Sequence, residues 1–403
     1  MKRVLLLLSD TGGGHRAAAE AIRAALYLLY GEDAVAVTLV DVFRQIRFPL
    51  NRAPELYHWM IQNSQTTWGI GYRLLNIQSS TRLFTQGVYQ MNHRRLREMI
   101  QTRPADVVVS VHSVITRPAM AAFRALPRRP PFITVVTDLV STPTFWYEQR
   151  VEHCFVPTQA AYDRGVGLDM KPEKMEIVGL PVHPQFGAAL QPKEIARREL
   201  GWEATTPVIL LLAGSEGMGA LLETARAINE QRLPCQLAIV TGRNVALKQR
   251  LEAAEWNQPT YIYGFVTDMS LKMSAADILV TKAGPATISE ACLAGLPMIL
   301  CDAIPGQETG NVHYVVENNA GVFAPNPVQV AQMARAWLEQ GPAYWRERGE
   351  NARRLARPNA AEDIARAVWR YAHYPPIVNE QRHWLADLAK IPLLVRRGLP
   401  RPY

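Results

Sequence analysis

Three scarcities narrow the chemistry of this chain before any motif is read. Its four cysteines, Cys154, Cys235, Cys292 and Cys301, show no C-x-x-C spacing and stand in apolar or strand-like contexts. That pattern excludes a disulfide frame and a zinc site of the usual spacing, and it suits buried thiols in a reducing compartment. No Asp-x-Asp triplet occurs in the 403 residues, so no metal-chelating carboxylate pair of that kind is present and no metal is expected. No apolar run approaches the roughly 18 residues that a membrane-crossing helix needs. The chain opens directly on a strand-like run, with no cleavable leader apparent. The expectation is a protein of the cytoplasmic side that meets a membrane only from the surface.

Lysine is missing from Val42 to Pro130, and arginine takes its place. Thirteen arginines face only Glu55, Glu98 and Asp106 there, a net +10 within a chain whose total is +8. Such a surface attracts anionic lipid or nucleic acid. From Asn51 to Leu96 the arginines alternate with Tyr57, Trp59, Trp68, Tyr72, Phe84 and Tyr89. Helices of this composition can lie in a membrane interface, or they can pack their aromatics on a sheet. Both readings stay open. No nucleic-acid motif accompanies the charge, so nucleic acid is not expected as a partner.

The length predicts two domains, and 48% hydrophobic with 20% charged residues is ordinary globular composition. Val4–Leu8, Val35–Val40, Val107–Val111 and Phe132–Thr137 are aliphatic runs separated by helix-length stretches. They predict a parallel, doubly wound sheet. Asp10, His112 and Asp138 directly follow strands and should gather at the carboxyl edge, where such sheets bind ligands. A second series begins at Val208–Leu212 and continues through Gln236–Val240, Tyr261–Tyr263, Ile278–Val280 and Pro297–Leu300. Two similar α/β halves are expected to face one another.

Ser9-Asp10-Thr11-Gly12-Gly13-Gly14-His15-Arg16 stands between the first strand and a helix, and is a site candidate because His15 follows three glycines at a helix start. In the second half, Gly284 and Pro285 open a helix, Ala286–Leu293. Its first amides, with Thr287 among them, suit a diphosphate. Glu290 can accept both hydroxyls of a ribose. Gln307 and Glu308 suit the paired hydroxyls of a sugar.

Thr281-Lys282-Ala283-Gly284-Pro285, Ser289-Glu290-Ala291, Gly295-Leu296-Pro297 and Pro305-Gly306-Gln307-Glu308-Thr309-Gly310-Asn311 resemble the donor site of nucleotide-sugar glycosyltransferases of the MurG-like superfamily. With Ser9 to Ala17 and Val315-Val316-Glu317-Asn318, the chain is most similar to monogalactosyldiacylglycerol synthases. Processive diacylglycerol glucosyltransferases are more distant. The resemblance implies an α/β protein of GT-B fold, two Rossmann-like doubly wound domains facing across a cleft. It implies an acceptor and membrane-binding domain over 1–184, a UDP-sugar domain over 185–370, and a basic, apolar tail over 371–403. UDP-galactose is the expected donor, 1,2-diacylglycerol the acceptor and anionic membrane lipids the surface. Transfer would invert the anomeric carbon, with no cofactor, by an enzyme held peripherally at the cytoplasmic face of the cell membrane.

Carried over by residue, Glu290 would hold the uridine ribose, Gln307 and Glu308 the donor sugar, Phe265 and Val266 the uracil, and Arg243 the diphosphate. Gly217 and Gly219, with Gly284, Pro285, Ala286 and Thr287, would approach the phosphates. Gly12, Gly13 and Gly14, with Pro54 and Trp146, would line the acceptor side. His15 is the first choice of general base and Asp138 the second. Two departures stand out. The glycine loop reads Ala213-Gly214-Ser215-Glu216-Gly217-Met218-Gly219 where the family has three leading glycines, and Tyr147 stands where the family often has His.

Overall fold

The computed structural model describes residues 1–10, 13–48, 50–63, 69, 71–74, 76–212 and 220–379. Its first sheet runs, edge to edge, Val35–Asp41, Lys2–Leu8, Val107–Ser110, Phe132–Val135, His153–Val156 and Met175–Ile177. Its second runs Thr260–Tyr263, Gln236–Val240, Val208–Leu212, Ile278–Lys282, Met298–Asp302 and Gly321–Phe323. All neighbouring strands within these two sheets are parallel. The inner strands are aliphatic throughout because helices cover both faces: every residue from Val4 to Leu8 and from Val208 to Leu212 is buried. The Gly13–Tyr30 helix lays Ala21, Ile22 and Ala25 on the first sheet, as their spacing predicts, together with Ala19 and Leu26, while Ala18 is buried against the cavity that Glu290 also lines.

In each sheet the strand order reverses beside the first strand of the half. That reversal opens a crevice at the carboxyl edge. In the first half the crevice receives the start of the Gly13–Tyr30 helix and His112. In the second it lies between Leu212 and Lys282, facing the helix Pro285–Ala294. The glycine loop 213–219, with Gly217 and Gly219, lies outside the described residues, as do Gly12 and the tail beyond residue 379.

The chain's last stretch departs from the expected division. The helix Ala360–Ala372, expected within the C-terminal domain, packs on the N-terminal sheet, where Ile364, Ala365 and Val368 join the cluster of Val4, Leu6 and Ile22. Ile377–Val378 then pairs antiparallel with Arg128–Arg129. The chain therefore passes between the two halves twice, near residues 178–184 and near 356–360. The passages touch at Gly179 and Arg357. Gly179 has φ +97°, and a Cβ there would overlap the Arg357 side chain, so glycine is required.

The arginine-rich insertion forms the helices Ala53–Asn63 and Gln78–Gln101. Val88, Leu96, Met99 and Ile100 are buried, and Phe84 meets Phe145 edge-on at 5.9 Å. Leu56, Trp59, Leu74, Ile77, Leu83 and Met91 are each more than half exposed. One side of the insertion thus packs inward while the other carries bare apolar groups among arginines. Among the described residues no helix is long and apolar enough to cross a membrane.

Candidate active site

His15 occupies the first turn of its helix, at the mouth of the first crevice. Its Nδ1 lies 3.0 Å from the Val111 carbonyl and 2.8 Å from the Thr137 hydroxyl. A carbonyl can only accept, so Nδ1 donates and Nε2 is left as the ring's acceptor. Burial pulls the imidazole down to about 4, against a partial lift from the Val111 bond, and the ring is neutral at physiological pH. The His112 ring lies beside it, tilted by 50° with 4.4 Å between centroids. Burial, and then the neighbouring His15, hold His112 well below its ordinary range. Asp10 does not face this pair. It takes a two-pronged bond from Arg16 at 2.6 and 2.9 Å.

Asp138 follows Thr137 and is buried. Burial pushes its carboxyl up to about 6, although the Trp146 indole donates to it at 2.7 Å and favours the charged form. The Glu308 carboxylate, from the other half of the molecule, adds to the upward push. Leu139, the residue after Asp138, packs in the core of the other half, and Ser141 accepts the Gly310 amide there, so Asp138 stands at the cleft between the halves. Trp146, expected to line the acceptor side, is fully buried. The helical turn Thr144–Trp146 swings its ring inward, where it serves Asp138. Pro54, expected on the same side, is buried at the start of its helix.

On the facing half, the helix Pro285–Ala294 begins with Gly284 as its cap, and Ile288 makes the first bond back to Gly284. The amides of Ala286 and Thr287 precede that bond and have no acceptor within the helix. Lys282 lies beside this end and bonds Glu308 Oε1 at 2.7 Å, while Glu308 Oε2 accepts the Ile304 amide at 3.0 Å. Both Glu308 oxygens are thus engaged, which suits a residue that shapes the 304–308 loop. Gln307, its neighbour, is half-buried.

Glu290 faces across the cleft into a cavity of about 150 Å³ shared with Gly14, Ala17, Pro181, His183 and Ala286. Burial pushes its carboxyl up to about 7. Gly14 therefore looks toward the residue expected to hold the ribose, and a Cβ there would meet nothing within 4 Å. Phe265 is 55% exposed at the end of its strand, next to the half-buried Val266. The Arg243 guanidinium lies over the Phe265 ring, 4.7 Å from its centre, at the end expected to meet uracil.

Comparison with known proteins decides the family. Residues 15–182 match the family model described as monogalactosyldiacylglycerol (MGDG) synthase, and residues 208–327 match the glycosyltransferase family 28 C-terminal domain. A probable monogalactosyldiacylglycerol synthase 2 of Oryza sativa subsp. japonica is 35% identical over 94% of this chain and 82% of its own length. The chain belongs to the monogalactosyldiacylglycerol synthase family. The monogalactosyldiacylglycerol synthase 2 of Arabidopsis thaliana is likewise 35% identical, over 91% of this chain and 80% of its own. Acinetobacter baumannii MurG superposes with a TM-score of 0.60 at 15% identity, over 92% of this chain and all of its own. As a member of this family the chain is a glycosyltransferase of GT-B fold. The plant relatives are named chloroplastic, a compartment other than the expected cytoplasmic face of the cell membrane.

His15, Asp138 and Glu290 were named from the sequence, as were His112 at the carboxyl edge and Trp146 on the acceptor side. The structure adds Thr137, whose hydroxyl lies 2.8 Å from His15 Nδ1, and gives Trp146 its bond to Asp138. Thr137 stands just beyond its strand and beside Asp138, and that position is the signal that could have pointed to it.

Proposed function

We propose that this glycosyltransferase moves galactose from UDP-galactose to the primary hydroxyl of 1,2-diacylglycerol, giving β-linked monogalactosyldiacylglycerol. The observation that carries the reading is the state of His15 in the family's own glycine loop: neutral, anchored through Nδ1, with Nε2 as its acceptor. A primary alcohol needs such a base as it attacks. The hydroxyl oxygen bonds to the anomeric carbon from the face opposite UDP. Its proton passes to Nε2, and the bond from that carbon to the diphosphate breaks. The configuration inverts.

Negative charge then grows on the departing diphosphate. The free amides of Ala286 and Thr287 and the positive end of their helix are suited to receive it. Glu290, costly to ionise while buried, gains partners when ribose hydroxyls reach it. Phe265 offers a face to the uracil ring, and Gln307 an amide to the sugar. Asp138, ionised above about pH 6, supplies negative charge at the edge where the imidazolium forms. The bare apolar groups and arginines of the insertion suit a peripheral seat on an anionic lipid surface.

The test is direct. Purified enzyme is incubated with diacylglycerol and either UDP-galactose or UDP-glucose, and the lipid is analysed by mass and by NMR of the anomeric proton. A β-galactosyl lipid is expected. A glucosyl product would replace the donor assignment, and a product free of lipid would sink the acceptor assignment.

A further inference from the structure

Asn76, between the two helices of the insertion, holds the turn that carries Trp146. Asn76 Oδ1 accepts the Thr144 amide at 2.8 Å and the Arg164 guanidinium at 2.9 Å. The Thr144 hydroxyl lies 2.6 Å from the Asn76 carbonyl oxygen and 2.9 Å from Oδ1. In every one of these bonds Asn76 is the acceptor. Thr144 is almost wholly buried and opens the helical turn whose third residue, Trp146, donates to Asp138 at 2.7 Å. Four residues before Asn76, the Tyr72 hydroxyl donates to the Ser141 carbonyl at 2.8 Å. Ser141 in turn accepts, through its own hydroxyl, the amide of Gly310 on the donor half at 3.0 Å. The Tyr72 ring also lies against Gly306.

We propose that Asn76 is a positioning residue for Asp138, acting through Thr144 and the Trp146 indole, and that Tyr72 joins the segment just before that turn, at Ser141, to the donor half. The inference rests on the reading of Asp138 given above. It adds a coupling to that reading, because Leu74 and Ile77, interleaved with Tyr72 and Asn76, are 59% and 52% exposed. The stretch that would touch lipid is the stretch that sets the turn. Asp138 meets charge from several directions: Trp146 favours its ionised form, and Glu308, itself paired with Lys282, opposes it. Asp138 also raises the neighbouring Tyr147 hydroxyl. His15 lies one residue away, through Thr137. Of these influences, only the Trp146 bond depends on the orientation of the turn.

The experiment compares Asn76→Ala, Asn76→Asp, Tyr72→Phe and Asp138→Asn in the full chain. For each, kcat is read against pH at saturating UDP-galactose, and UDP affinity is measured by calorimetry. Asn76→Ala should lower kcat at pH 7 by up to about 2- to 10-fold, the ceiling set by losing the Trp146 bond to Asp138 altogether. It should move the acid limb of the profile to higher pH and leave UDP affinity unchanged. Asn76→Asp keeps the acceptors and should restore both rate and limb. Wild-type kcat and limb in Asn76→Ala would overturn the inference, and so would equal impairment of the Ala and Asp variants. If Asn76→Ala does not fold, Tyr72→Phe decides: a lowered kcat with a displaced acid limb supports the inference, and a wild-type profile overturns it. An inactive Asp138→Asn beside a normal Asn76→Ala defeats the inference alone. A fully active Asp138→Asn defeats the reading of Asp138, and the inference with it.

Discussion

Replacing Trp146 by phenylalanine removes one buried N–H and keeps an aromatic ring. The lost bond, 2.7 Å from indole to carboxylate, is the influence that holds Asp138 down against burial. A hydrogen bond to a charged group contributes about 1.5–3 kcal/mol, which corresponds to about 1–2 pH units on the carboxyl. Asp138 would therefore move from about 6 toward about 7–8, since removal of a donor to the charged form raises an acid's value. At pH 7 the ionised fraction falls from about nine-tenths to between about one-half and one-tenth, so kcat drops roughly 2- to 10-fold on this account alone. At pH 9 most of that loss disappears. The assay is kcat across pH 5–9 at saturating UDP-galactose, where, on the proposed reading, the donor's ribose engages Glu290 and takes its titration out of the profile. Lost packing lowers the rate equally at every pH, whereas lost ionisation tilts the profile. An acid limb unmoved from wild type would refute the assignment of that limb to Asp138.

His15→Ala should reduce kcat by about 10²-fold or more while UDP affinity stays near wild type, read by steady-state kinetics and calorimetry; a variant with ordinary turnover removes His15 as the base. The enzyme should bind anionic vesicles and release them as salt rises, because the net +10 of residues 42–130 acts through screened charge. Equal binding to neutral vesicles would contradict this in a sedimentation assay. Exhaustively EDTA-treated enzyme should keep its rate, as expected of a chain without an Asp-x-Asp triplet. Loss of transfer that Mg²⁺ or Mn²⁺ restores would show the opposite.

The two sheets were legible because a strand covered on both faces has no polar alternation, and Val4–Leu8 or Val208–Leu212 admit little else. His15 and Asp138 were legible because residues just beyond parallel strands must meet at one edge. What stayed hidden were pairings across long separations. The amphipathic helix Ala360–Ala372 displays its apolar face in the sequence, but nothing in that face says which of two sheets it covers. The two-residue strand Arg128–Arg129 is charged where strands are usually apolar, and it exists only because Ile377–Val378 returns to pair with it. Trp146 turns inward because Thr144 is tied down by Asn76, 68 residues earlier.

The double passage between the halves has a mechanical meaning. A single linker would leave the donor half free to swivel and swing, like a weight on a string. Two passages in contact at Gly179 and Arg357 tie the halves at paired points, so any motion of one half against the other must bend both passages together. Neither half is then a separable module. A chain cut after residue 184 loses the helix Ala360–Ala372 from its first sheet and lays bare the apolar surface of Val4, Leu6 and Ile22 that this helix shares.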